Sequence, residues 1–212
     1  MLKLVVLASG RGSNAKAIFE LAEENPELLT VEALITNNPN AGVLEHAAHY
    51  EIPAHVIPVV RQTSREATRH YHETQIQTVL DAISFDYICL AGYMRILTGQ
   101  FVQQHPHPVW PCSKIINIHP ALLPAFKGAN GYEDAFEYGV TVAGITIHFV
   151  SPEVDSGPII HQRYFKRKAA DSLDAFKARG LVEEHLGYRR TLLALATDSV
   201  IAKQNPFQLF LS

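Results

Sequence analysis

Cysteine is scarce in this chain, with two in 212 residues. Cys89 and Cys112 stand far apart and form no C-x-x-C pair, which argues against a disulfide framework or a thiolate metal site and fits a reducing cytoplasm. No apolar run approaches the roughly 20 residues that a membrane-spanning helix needs. The apolar opening from Met1 to Ser9 is too short for a secretory leader and runs straight into Gly10-Arg11-Gly12, so a first strand is expected there. Neither sign of charge dominates. The net charge is −3, and basic and acidic residues are interleaved, so nothing marks a nucleic-acid or anionic-membrane surface. There is no H-E-x-x-H, and His70 and His72 are two apart on an expected helix and so face apart. No metal is expected. Internal repeats and low-complexity tracts are also missing. What remains is a soluble cytoplasmic protein with small-molecule partners, a monomer or homodimer, folded as a single domain over 1–212.

What is present is a regular alternation. Short apolar runs at 3–8, 30–36, 54–57, 87–91, 114–119, 144–150 and 159–165 read as strands. Amphipathic stretches at 14–24, 41–49, 65–82, 99–105, 132–137 and 171–196 read as helices. This is the pattern of βα units, and it predicts an α/β fold: a three-layer, mostly parallel Rossmann-like sheet of about seven strands. In the last helix Leu181, Val182, Leu186, Leu192 and Leu195 are expected to form the stripe that packs on the sheet. The proline-dense segment 106–113 should be an irregular connection, and the apolar tail at 203–212 should dock on the body or on another subunit.

The chemistry concentrates at strand ends. In Asn117-Ile118-His119-Pro120 the two polar side chains are two apart and share a face, and Pro120 stops the strand, leaving them at its carboxyl end where open α/β sheets bind ligands. A lone histidine among eleven is more often structural. The shared face and a candidate carboxylate, Asp155 in the turn Asp155-Ser156-Gly157-Pro158, raise this one. If the two lie within ion-pair range, the imidazolium form is favoured and His119 becomes a proton donor. Ser9-Gly10-Arg11-Gly12-Ser13-Asn14 follows the first strand and opens a helix, as an anion-binding turn does; a plain capped turn is the bland alternative. Gly10, Gly12 and Ala15 also fit a dinucleotide fingerprint. That reading wants an acidic residue at the end of the second strand, where Asn37-Asn38 stands instead, so a phosphate monoester fits better than NAD. Ala91 to Leu97 (Ala-Gly-Tyr-Met-Arg-Ile-Leu) mixes apolar groups with one cation, suited either to the edge of a flat heteroaromatic ligand or to ordinary core.

Together these segments resemble the phosphoribosylglycinamide formyltransferase family, folate-dependent enzymes of purine synthesis, over nearly the whole chain. The resemblance implies an enzyme that transfers the formyl group of 10-formyltetrahydrofolate, its co-substrate, to the amine of glycinamide ribonucleotide without a covalent enzyme intermediate. It implies Asn117, His119 and Asp155 as catalytic residues, and Gly12, Ser13, Asn14 and Glu184 as ribonucleotide-binding. It implies Arg65, Met94, Arg95, Ile96, Leu97, Asn117, Ser151, Pro152, Glu153, Val154 and Asp155 as folate-binding. A phosphate-binding half at 1–90 and a folate-binding and catalytic half at 91–200 follow. Relatives that formylate an amino sugar nucleotide, and a non-catalytic paralogue, are the alternatives. Relatives acting on methionyl-tRNA or hydrolysing the formyl-folate carry an extra domain, which is not expected here. After Leu122-Leu123-Pro124 the family usually continues with an aromatic and Pro-Gly-Leu-His. Phe126-Lys127-Gly128-Ala129-Asn130-Gly131 stands here instead, and its glycines predict a more mobile loop at the mouth of the site.

Overall fold

The structure is a computed structural model and describes residues 1–204 and 207–211. Its main sheet contains β1 (Leu2–Ala8), β2 (Leu29–Thr36), β3 (Ala54–Val56), β4 (Tyr87–Leu90), β5 (Ile115–His119), β6 (Val142–Phe149) and β7 (Ile159–Lys166). Between them run α1 (Ser13–Glu24), α2 (Val43–His49), α3 (Arg65–Leu80), α4 (Gly99–Gln103) and α5 (Gly131–Tyr138), with α6 (Leu173–Ala196) after the last. Each expected strand and helix is present, with ends within two residues of expectation.

The strands lie in the order β3-β2-β1-β4-β5-β6-β7. β1 to β5 pair in parallel, and β6 and β7 are antiparallel. Strands buried on both faces need apolar residues at every position, which is why these read as continuous runs. In β1, Leu4 and Val6 enter one core while Val5 and Leu7 enter the other, all fully buried. Each such side chain contributes about 1.5–3 kcal/mol. The first core lies under α1, α2, α5 and α6, and the second under α3 and α4, giving three layers. Ser64, Thr98 and Ser172 start α3, α4 and α6 by accepting the N–H of the residue three ahead, as N-caps do. The strand order reverses between β1 and β4, so the crevice at their carboxyl ends is the switch point of the sheet.

One expectation needs correction. The buried face of α6 is not the leucine stripe, because Val182 and Leu186 are exposed while Phe176, Gly180, Glu184, Gly187, Tyr188 and Thr191 face inward beside Leu192 and Leu195. Close approach explains it: a Cβ on Gly180 would lie 2.4 Å from the Tyr132 ring. The apolar tail docks on the body as expected: it forms one arm of a hairpin, β8 (Val200–Gln204) with β9 (Phe207–Leu211), whose Leu209 is buried in the first core. Asn205, Pro206 and Ser212 of the expected tail lie outside the described residues.

The connection 106–113 sits at the opposite, amino end of the sheet, before β5. There the His107 ring stacks on Trp110 at 4.3 Å. Its Nδ1 accepts the N–H groups of Val109 and Trp110 at 3.1 and 2.9 Å, and Nε2 meets the Tyr87 hydroxyl at 2.9 Å.

Candidate active site

Asn117 and His119 stand at the carboxyl end of β5, paired across to His148 and Thr146 of β6. The Thr146 hydroxyl donates to the Ala121 carbonyl at 2.7 Å and accepts the Leu123 N–H at 3.0 Å, fastening the turn that follows. His119 is buried. Its Nε2 lies 2.7 Å from the Phe126 carbonyl. A carbonyl only accepts, so Nε2 carries a proton and Nδ1 is the nitrogen left to gain or lose one. Nδ1 faces Asp155 Oδ2 at 3.3 Å. Asp155 occupies the turn between β6 and β7 with φ at +52°, a left-handed conformation that aspartate tolerates better than most residues.

The loop after β5 meets the site through backbone groups. Phe126 has φ at +53°, which costs a bulky residue on the order of 1–2 kcal/mol. That conformation presents its carbonyl to His119. Two residues on, the Gly128 N–H donates to Asp155 Oδ2 at 2.9 Å, and Lys127 Nζ donates to the Ser156 hydroxyl at 2.6 Å. Gly131 is the first residue of α5, and a Cβ there would meet the Pro120 carbonyl at 3.0 Å. The loop thus grips both members of the His119–Asp155 pair through backbone groups.

A second histidine completes the cluster. His148 Nε2 lies 3.2 Å from Asn117 Nδ2 and 3.7 Å from Asp155 Oδ1, while Nδ1 lies 2.9 Å from the Phe149 carbonyl. Burial holds its pKa below the ordinary histidine value, against the opposing pull of the Phe149 carbonyl and Asp155. His148 was outside the expected set. A polar residue inside an apolar strand run was the signal available for it.

The turn after β1 enters α1 through a left-handed glycine. Gly12 starts α1 with φ at +79°, and a Cβ there would collide with Val43. Ser13 opens the helix, whose first N–H groups have no helical partner. Asn14, expected to offer its amide outward, is buried and donates it to Glu184 Oε2 at 2.5 Å. Its Oδ1 is buried without a partner among the described residues. Tyr132 donates to Glu184 Oε1 at 2.6 Å, and burial raises the Glu184 pKa. One turn later on the same face of α6, the buried Tyr188 hydroxyl donates to the Leu90 carbonyl at 2.8 Å and ties the helix to the end of β4. Ser9 ties the neighbouring loops together: its hydroxyl donates to Asn37 Oδ1 at 2.5 Å and accepts the Met94 N–H at 2.8 Å.

Of the residues expected to meet folate, Met94 and Ile96 are exposed at 78 % and 56 %, with Arg95 partly buried between them. Leu97 is turned into the second core. Ser151, Pro152, Glu153 and Val154 form the loop leading to Asp155, and Pro152 lies over Gly99 at the start of α4. Arg65 is exposed at the start of α3, and no described contact joins it to the Asn117–Asp155 group. Among the described residues no three His, Cys, Asp or Glu side chains are arranged to hold a metal ion.

A family model described as formyl transferase matches residues 2–192. The chain belongs to the formyltransferase family. It is 38% identical over 189 residues to the phosphoribosylglycinamide formyltransferase of Bacillus subtilis, covering 89% of this chain and 91% of that protein. The crystal structure of phosphoribosylglycinamide formyltransferase from Anaplasma phagocytophilum is similar, with a TM-score of 0.87, 36% identity, and coverage of 100% of this chain and 93% of that one. The trifunctional purine biosynthetic protein adenosine-3 of Bos taurus is 37% identical over 203 residues, 96% of this chain but 19% of that protein. The chain therefore spans about a fifth of the length of that curated relative. Within the formyltransferase family these likenesses set it beside the phosphoribosylglycinamide enzymes. No helix is long and apolar enough to cross a membrane among the described residues.

Proposed function

We propose that this formyltransferase moves the formyl group of 10-formyltetrahydrofolate to the amine of glycinamide ribonucleotide, in the cytoplasm, as a step of purine biosynthesis. The observation that carries the reading is the buried His119–Asp155 pair, 3.3 Å apart, beside Asn117 at the carboxyl end of β5, one strand from the switch point of a formyltransferase sheet. The turn at Gly12, Ser13 and Asn14, with Glu184, takes the ribonucleotide. The exposed 94–96 segment, the 151–155 loop and Arg65 take the folate. Both halves of the single domain contribute to each subsite, and the protein acts as a monomer or homodimer without nucleic-acid partners.

In this mechanism the amine attacks the formyl carbon directly, a C–N bond forms, and negative charge gathers on the formyl oxygen. The second N–H of Asn117 Nδ2 and the charge of a protonated His119 stabilise that oxygen before the folate nitrogen leaves. Because the Phe126 carbonyl occupies Nε2, the exchangeable proton of His119 is the one on Nδ1, which Asp155 holds in place. The proton lost by the amine passes by way of this pair to the departing folate nitrogen, so atoms and charge balance with no covalent enzyme intermediate. Holding both substrates in register supplies much of the remaining acceleration.

The test is tetrahydrofolate production by the purified chain with glycinamide ribonucleotide and, in parallel, an amino sugar nucleotide. Turnover with the ribonucleotide is expected. Turnover with the sugar amine alone would overturn the acceptor, and none with either would overturn the activity.

A further inference from the structure

We propose that His148 is a positioning residue, a neutral hydrogen-bond acceptor that sets which way the Asn117 carboxamide faces. The inference rests on Asn117 acting as the donor to the formyl oxygen. The Nδ1 of His148 lies 2.9 Å from the Phe149 carbonyl and so must carry a proton. With the residue 2 % exposed, a second proton would be a buried charge, and burial opposes it. Nε2 is then a bare lone pair. Whatever atom of Asn117 stands 3.2 Å from that lone pair has to donate, which makes it Nδ2 and not Oδ1. One Nδ2 hydrogen is spent on His148, so the other is left at a fixed angle for the substrate, and Oδ1 is left to accept from the attacking amine.

Register makes the arrangement possible. Asn117 and His148 are direct cross-strand partners on neighbouring antiparallel strands, so their side chains rise from the same face of the sheet. Without an acceptor at 148 the carboxamide has two orientations related by a half-turn, and one of them presents an oxygen to the developing oxyanion. The charged groups facing the imidazole are Asp155, with Oδ1 at 3.7 Å, and His119 beyond it. A carboxylate that close would draw a proton onto Nε2 if the Phe149 carbonyl did not hold the tautomer the other way.

The experiment combines kinetics with nitrogen NMR on the full chain. His148→Phe should lower kcat roughly 10- to 100-fold, with KM for either substrate changed less than about threefold. His148→Gln, whose amide oxygen can accept, should recover most of that loss. In an Asn117→Ala background His148→Phe should cost almost nothing further, because the group it positions is gone. Equal losses in both backgrounds, or no rescue by glutamine, would overturn the proposal. Wild-type protein labelled with nitrogen-15 should show a neutral His148 with the proton on Nδ1 at neutral pH and a through-bond coupling from the Asn117 amide to Nε2. An Nε2-protonated ring overturns the proposal whether or not the protein forms product. An inactive wild type with the expected spectrum would sink the assigned activity and leave the orientation standing.

Discussion

The two ends of the sheet each carry histidines tied to backbone groups, yet they are built for opposite ends. At the amino end every partner of His107 is neutral: two backbone N–H groups, the Tyr87 hydroxyl and the Trp110 ring. At the carboxyl end His119 and His148 are likewise each held by a carbonyl, but their second nitrogens look towards one carboxylate, Asp155. A histidine saturated by neutral partners has no use for a proton and serves as packing. His119, with one nitrogen locked and the other facing the carboxylate, can take and return a proton without moving, whereas His148 spends its second nitrogen on Asn117.

The contrast is sharpest on removing the carboxylate charge. Asp155→Asn should lower kcat about 10³-fold with the melting temperature nearly unchanged, whereas His107→Phe should leave kcat within about twofold and cost on the order of 1–3 kcal/mol of stability. Steady-state rates and thermal melts of the two variants check this, and a large rate loss in the second would erase the distinction. Acid should act on the amino end next. Burial, then Lys114, lowers the pKa of His105 from the ordinary 6.5 to about 4. Between those values the unfolded chain binds a proton that the folded chain refuses, so stability should rise with pH from about 4 to 6.5 and fall again on acidification. His105→Phe should flatten that slope in melts taken across the range, and an unchanged slope would place the acid sensitivity elsewhere. The smallest effect belongs to the loop after β5. Lys127→Ala removes an exposed contact to Ser156 but neither backbone grip, so kcat should change less than about twofold. A tenfold loss would show that the side chain, not the backbone, holds the pair.

Much of this was open to a reader of the residues. Strands buried on both faces announce themselves as apolar runs, and the placing of Asn117 and His119 on one face follows from a period of two and a terminal proline. The closeness of Asp155 rested on the family resemblance, since a contact across 36 positions has no local signal. What was missed depends on partners in space. The buried face of α6 mixes Phe176, Tyr188, Leu192 and Leu195 with Gly180, Glu184 and Thr191, so the expected apolar stripe marked it only in part. His148 gains its neighbour only through the β5–β6 register. The grips of Phe126 and Gly128 are made by backbone atoms, which leave no mark on side-chain pattern.

Every amino acid brings a carbonyl, and all but proline bring an amide hydrogen. A clasp fashioned from these alone at 126 and 128 leaves the side chains of 127, 129 and 130 open to drift or to deliberate randomisation, so the segment bordering the acceptor can be rewritten while the machinery beneath it keeps its shape.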